Sequence, residues 1–480
     1  MKLVLFCMLL MITAACTKDG LIPGDSSQLN GDKSLLKSGH CGEVFIVLPN
    51  GTDDSENLLR AFADAKLAGR GSVVQLVEGD YNIGLLEIRD FKGYFRGAGK
   101  GRTKIQNLDN MPPSLPYYEN NMMEGLMLFI GGDVNISRMT LTTTNGPVCP
   151  DDPYYGFLPI LIGFSDYSAM YLPDKRFIRA VVEDVDIIGG SFNGINNAFG
   201  TDHNVGMAFY AGPDINTYSA NNPFGSVDVT IKHCSFEHVG VALDTWGLDE
   251  KSTVNFDDNN VKNSFYNIFM GGSLGLKAFI RNNKLFDAPL GTYIDDSDYG
   301  LLPIQSFSKR TQYTISGNYC ESHTGSINLY LHDGRRIIYP DEGLPQLFDI
   351  HNNTFDTQDD CIAIQSLNGV GSKIWNNKFI GTGAMGVMID GDADSKTFTE
   401  QIKLFGNNFF SATYTNANVY LGPFSRNCTV IGVSTDKVDN EGVNNSIIGT
   451  KVHKQGIHFG QFDHYRLRQM HENLMRRGKH

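Results

Sequence analysis

The sequence predicts an all-β solenoid, a parallel β-helix, and three observations carry that prediction. A short phrase recurs in which an apolar residue is followed by Asn or Asn-Asn and then by another apolar residue. Its copies are Phe256–Val261, Ile280–Leu285, Ile315–Cys320, Ile350–Phe355, Ile374–Phe379 and Phe405–Phe410. Their fourth residues fall at 259, 283, 318, 353, 377 and 408, and Asn-free relatives at Ile136–Leu141, Val182–Ile187 and Ile231–Phe236 extend the series upstream. Steps of 24 or 25 residues recur among longer ones, the signature of stacked repeats with insertions. The second observation is the run of β-prone segments between the phrases, such as Tyr266–Met270, Ile327–Leu331 and Gly386–Ile389, bounded by Gly, Asn or Asp. The third is that no helical period of adequate length falls between them.

A coil of about 24 residues with two or three short strands can only stack in parallel, turn over turn. Asn suits a turn that needs left-handed backbone, because its amide bonds to nearby main chain. Stacked on the Asn of the next coil, it also forms a ladder. A 480-residue chain exceeds an ordinary single core, but each coil of a solenoid buries itself against its neighbours alone.

The solenoid needs capped ends. Residues 53–68 form the best helix in the chain, with Asp53, Asp54 and Ser55 as N-caps and Gly69 as the stop. Its stripe of Leu58, Ala61, Phe62, Ala65 and Ala68 is suited to cover the first coil. Residues 461–478 read as a basic C-terminal helix. The early steps of 46 and 49 imply missed coils or long excursions, and segments 106–130 and 145–175 read as loops.

The N-terminus carries an address. A basic start and a short apolar run lead to Thr13-Ala14-Ala15-Cys16, which reads as a secretory signal. It resembles a lipoprotein signal, which implies cleavage before Cys16, a lipid on its sulfur and a membrane-tethered protein of the bacterial envelope, on the outer membrane. The expected organisation is therefore a signal over 1–15, a tether over 16–38, the β-helix over 39–455 and a helical extension over 456–480. Of the eight cysteines no two form a Cys-x-x-Cys pair, which argues against zinc or redox chemistry. A Cys41–Cys149 disulfide is one possible pairing, and Cys320 occupies an apolar slot of the repeat. Forty Lys and Arg against 53 Asp and Glu give a net charge of -13 without a basic stripe, so nucleic acid is not an expected partner.

Thr52-Asp-Asp-Ser-Glu leading into the helix, Gly71–Tyr81, and Phe95–Ile105 resemble the opening of the pectate lyase-like superfamily. The resemblance spans roughly residues 45–435 and implies a right-handed parallel β-helix. It does not imply one reaction, since that superfamily holds lyases, hydrolases, esterases, epimerases and adhesins.

Candidate chemistry falls in four groups. Asp359-Asp360-Cys361 is similar to a polygalacturonase motif, in which paired carboxylates act as acid and base on a uronic-acid polymer. The companion motifs are absent: Gly325, Met385 and Asn416–Tyr420 stand where that family carries an aspartate, a histidine and a basic pair. Acids also close several strands, at Asp244, Asp295, Asp298, Asp333, Asp390, Asp392 and Asp394. A row of carboxylates repels itself unless a cation neutralises it, so Asp295, Asp298, Asp390, Asp392 and Asp394 are candidate calcium ligands. The alternative is a solvated acidic edge. Arg335 and Arg336 follow His332-Asp333 and offer a base and a carboxylate clamp for an elimination, with Lys277 and Arg281 as weaker candidates. Trp246 beside Asp244 offers a platform for a sugar ring, and Trp375 reads as outer packing. The expected function is action on an acidic polysaccharide as a lyase or glycoside hydrolase, with a non-catalytic glycan-binding or adhesive lipoprotein as the alternative.

Overall fold

The computed structural model describes residues 42–108, 125–142, 160–165, 177–189, 205–210 and 225–449, the last stretch with breaks at 265, 272, 274, 287, 289–290, 296–309, 324–326, 333–345 and 394–395. The chain divides into two compact units, Met1–His40 and Cys41–His480, and all described residues belong to the second. The signal, the tether, Cys16, Cys41, Cys149 and the C-terminal helix lie outside the described residues.

The molecule is a right-handed parallel β-helix. Each full coil contributes three strands, as in Gln312–Ser316, Tyr319–Ser322 and Ile327–His332, followed one coil on by Leu347–His351, Thr354–Thr357 and Ile362–Leu367. The first two strands of each coil belong to a large sheet, and the third joins a narrow sheet. Each pairs in parallel with its counterpart one coil away. One column of the large sheet runs Ile231, Phe256, Ile280, Ile315, Ile350, Ile374, Leu404 and Val430, all facing inward and at most 2 % exposed. Rings stack in the same way: Phe355, Phe379 and Phe409 sit 5.3 and 4.3 Å apart between successive centroids. Each fully buried Phe contributes about 1.5–3 kcal/mol.

The Asn turn divides two jobs between adjacent residues. The third residue of each phrase takes the left-handed backbone, at Asp258, Asn282, Gly317, Asn352, Asn376 and Gly406, with φ between 54° and 69°. The fourth is the buried ladder residue: Asn259, Asn283, Asn318, Asn353, Asn377 and Asn407. Each ladder Asn accepts at Oδ1 the backbone N–H of the ladder residue one coil earlier, from Cys234 through to Asn377. Each also donates Nδ2 to a carbonyl of the preceding coil, as Asn318 does to Ile280 at 2.8 Å.

The last phrase is a correction. Leu404, not Phe405, lies under Ile374, and the ladder residue is Asn407, not Asn408. Phe405–Phe410 offers two apolar frames, and stacking selects the one that puts Leu404 and Phe409 inside. Phe410 is left 96 % exposed, and a register shift beside Lys378 absorbs the odd residue.

The long early steps hold no missed coils but single coils with long excursions. Gly132–Thr142 pairs directly with Ile178–Ile188, which pairs with Val227–Lys232. The segments read as loops in fact contain strands of the narrow sheet, Gly125–Ile130 and Ile160–Ser165. Their apolar runs were obscured by Tyr- and Pro-rich flanks.

The N-terminal helix spans Ser55–Ala68 and stops at Gly69, whose φ of 102° continues no helix. Leu58, Ala61, Phe62 and Ala65 are buried, whereas Ala68 is only half-buried at the rim. Phe62 packs edge-on against Phe91 at 5.0 Å. Asp54 makes no side-chain cap; its carboxylate instead accepts N–H groups of Asn50 and Asn82 and fastens the helix to the first coil. Cys320 is a buried core thiol, as its slot predicts, and burial pushes its pKa up to about 12.

Candidate functional site on the outer face of the narrow sheet

Register in the narrow sheet assembles one outward row from eight coils. It runs Asp244, Phe269, Tyr293, Tyr330, Gln365, Met388, Tyr420 and Asp439. From Asp244 to Tyr420 each lies between two buried residues that point inward, as Tyr330 lies between Leu329 and Leu331. Phe269 and Tyr293 stack at 5.3 Å, and Tyr293 and Tyr330 at 4.5 Å, with planes within 9° of parallel. Tyr266 packs edge-on against both Phe269 and Tyr293. Beside this row, Ile327, Ile362, Met385 and Met388 form a separate apolar cluster against Tyr330 and Tyr420.

Gln365 interrupts the apolar floor. It is 4 % exposed, and its Oε1 is buried with no hydrogen-bond partner. A buried carbonyl left unpaired costs about 1–3 kcal/mol. At the far end of the row, Tyr420 donates its hydroxyl to Glu441 Oε2 at 3.2 Å. Burial, together with the charge of Glu441, holds the Asp439 carboxyl above its ordinary range, and its Oδ2 is buried without a partner. Burial and the surrounding carboxylates of Glu441, Asp390 and Asp439 push the Tyr420 phenol upward.

A second outward row lies two residues further along each strand. Gly271, Asp295, His332, Leu367 and Asp390 are register partners, and Trp246 ends its strand beside them. Asp295 and Asp390 are three strands apart, about 14 Å. His332 Nε2 lies 3.1 Å from Asn368 Nδ2. The buried Asp390 carboxylate accepts the N–H groups of Gly391 and Phe424 at 2.8 and 2.9 Å. Gly422, one coil on, leaves the space it fills: a Cβ there would lie 2.2 Å from Asp390 Cγ.

The acid-bearing strand ends thus do share one face. Asp244, His332 and Asp390 are brought to it with their side chains described, and Trp246 and Asp295 by their backbone. Asp298, Asp333, Arg335, Arg336 and Asp394 lie outside the described residues; Arg335 begins three positions beyond His332. Asp359 and Asp360 do not join the site. Both are exposed in the turn before Ile362–Leu367, whereas the second row passes through Leu367, about 17 Å beyond the start of that strand. The corner is set by Asp359 itself, at φ 50°. Arg281 is spent on the large sheet, where it grips Asp257 through Nε and Nη2. Lys277 is on that sheet too.

Among the described residues no group of three or more His, Cys, Asp and Glu is placed to hold a metal ion. In the Asp390–Asp392 segment, Asp390 Oδ1 is taken by backbone N–H groups and Asp392 pairs through its backbone with Thr397. These contacts build a turn; Asp394, the third acid of the segment, lies outside the described residues.

Sequence reasoning missed Phe269, Tyr293, Tyr330, Gln365, Tyr420 and Asp439. A signal existed: Ile268-Phe269-Met270, Leu329-Tyr330-Leu331 and Val419-Tyr420-Leu421 each place an aromatic residue between two inward apolar ones.

The chain is a right-handed parallel β-helix protein with an aromatic, acid-flanked outer face on its narrow sheet. No protein-family model and no curated protein matches the sequence. Solved structures similar to it include the Azotobacter vinelandii mannuronan C-5 epimerase A-module, at 13% identity over 84% of this chain and 97% of that one, with a TM-score of 0.36. Tailspike protein 3 of bacteriophage CBA120 shares 11% identity over 85% of this chain and 60% of that one, with a TM-score of 0.44. An exopolygalacturonase from Thermotoga maritima shares 13% over 76% and 93%, with a TM-score of 0.39.

Proposed function

We propose that the protein binds and acts on a polysaccharide along the outer face of the narrow sheet, as a lyase or glycoside hydrolase. The observation that supports this reading is the row from Asp244 to Asp439, an apolar floor with a few fixed polar groups, the usual make-up of a ligand site. Tyr293 and Tyr330 add hydroxyls to an apolar body. His332 and Asp390 stand one row away as the titratable groups. Arg335 and Arg336, following His332 in sequence, are the proposed clamp for a uronate carboxylate.

Incubation with uronate-containing and neutral polysaccharides, with and without added calcium, tests this. Rising absorbance near 235 nm reports elimination, and new reducing ends without that absorbance report hydrolysis. Neither signal on any polymer, with binding retained, would establish the second reading, a non-catalytic glycan-binding protein. The position of Asp359 and Asp360 outside the site favours that reading over a polygalacturonase mechanism. We further propose that Cys16 tethers the protein to the bacterial outer membrane through a lipid; Cys16→Ser would then release it to the soluble fraction.

A further inference from the structure

A second ordered ring row lies on the opposite sheet. In the large sheet His351, Trp375, Phe405 and Ile431 are outward register partners in four successive coils. The His351 and Trp375 rings lie 4.6 Å apart and those of Trp375 and Phe405 5.8 Å apart, the latter within 6° of parallel. The Trp375 indole N–H donates to Asp349 Oδ1 at 2.7 Å, which fixes the central ring. Rings stacked along the solenoid axis turn their edges outward, and an aromatic edge carries the positive end of the ring quadrupole.

Three lysines and the carboxylate of Asp349 flank the row, Asp349 being the register partner of Lys373. Lys373 and Lys403 are the outward residues two positions before Trp375 and Phe405, one coil apart. Lys378 follows the Asn turn on the same coil as Trp375. All three are exposed, and none forms an ion pair among the described residues. Upstream coils of the same sheet carry exposed lysines without an ion pair among the described residues, Lys277 and Lys284, beside paired bases. There Arg179 meets Asp228, Lys232 meets Glu183, Lys262 meets Glu237 and Arg281 meets Asp257. In a chain of net charge -13, three lysines outnumber the Asp349 carboxylate along this ordered aromatic strip and leave it locally positive.

We propose that this strip is a second binding surface for an anionic polysaccharide, separate from the narrow-sheet site. The lysines meet carboxylate or sulfate groups, and the ring edges lie under the sugar backbone. Such a chain runs along the solenoid axis, crossing coils about 4.8 Å apart. The two sites lie on different sheets, so one polymer held on the strip leaves the other face open, and effective concentration at that face rises.

Affinity electrophoresis in gels containing polygalacturonate, alginate or neutral dextran tests the surface directly. The wild-type protein is expected to be retarded by the polyanions and not by dextran, with retardation fading as salt rises. Lys373→Glu/Lys403→Glu should weaken retardation at least tenfold, and Trp375→Ala/Phe405→Ala should do the same. The lysine pair makes no contacts that folding needs, so it stands even if the aromatic variant is unstable. Gln365→Leu, which alters only the narrow-sheet site, should keep the salt-sensitive retardation that the lysine variant removes, so failure of either site is seen separately. The proposal is overturned if neither polyanion retards the wild type, if dextran retards it equally, or if both strip variants bind as the wild type does. A dimer in sedimentation that disappears in the lysine variant would also overturn it, by assigning the face to a second copy.

Discussion

Asn318→Ala is the most informative single perturbation of the scaffold. Asn318 is 1 % exposed and stands in the middle of the ladder. Its Nδ2 donates to Ile280 O at 2.8 Å and to Asn353 Oδ1 at 2.9 Å. Its Oδ1 accepts the Asn283 backbone N–H and Asn283 Nδ2, both at 2.9 Å. Truncation removes all four bonds and leaves the buried Asn283 N–H without this partner. An orphaned buried group costs about 1–3 kcal/mol, and each further bond lost about 1 kcal/mol net. The expected destabilisation is therefore about 4–6 kcal/mol, a large part of the 5–15 kcal/mol typical of a folded domain. Coils contact only their neighbours, so the loss should centre on the coils carrying Asn283, Asn318 and Asn353. Denaturant unfolding gives the magnitude, and amide hydrogen exchange gives the place. Loss of protection at Asn283 N–H with upstream coils unchanged is the expected result. A cost below about 1 kcal/mol, with Asn283 still protected, would refute the ladder as a source of stability.

Three other outcomes follow from the site. Gln365→Leu removes an unpaired buried carbonyl and should raise stability by about 1–3 kcal/mol while weakening polysaccharide binding or turnover on the narrow sheet; a destabilised variant would show Gln365 to be structural. Asp439 has a raised folded pKa, so its protonated form favours folding, fully below the unfolded value of 3.8 and progressively less as pH rises through the folded value. Asp439→Asn should therefore raise the melting temperature at pH 7, and that gain should vanish in scans below pH 3.8; an equal gain at both pH values would point to another cause. Gly422→Ala places a methyl group 2.2 Å from Asp390 Cγ. It should lower the melting temperature and loosen the Asp390–Phe424 contact, visible as faster exchange at Phe424 N–H.

The sequence by itself determined the β-helix, its Asn turns, the N-terminal helix and the inward columns. These depend on local backbone preference and on alternation, both of which repeat in every coil and so reinforce one another along the chain. Where two frames fitted equally, at Phe405–Phe410, only the stacking of Leu404 under Ile374 and Phe409 under Phe379 chose between them. The outward residues were less legible. A solvent-facing position carries no periodic apolar signal, and its neighbours are set by insertions of unequal length between coils. Acids at strand ends were visible as residues, and Asp244, Asp295, His332 and Asp390 do share a face. The exclusion of Asp359 and Asp360 from it, the stack from Phe269 to Tyr330, and the unpaired Gln365 between Tyr330 and Met388 were decided by the tertiary structure. Each depends on which residue lies about 4.8 Å away in the next coil, a distance spanned by 24 residues in one place and 35 in another.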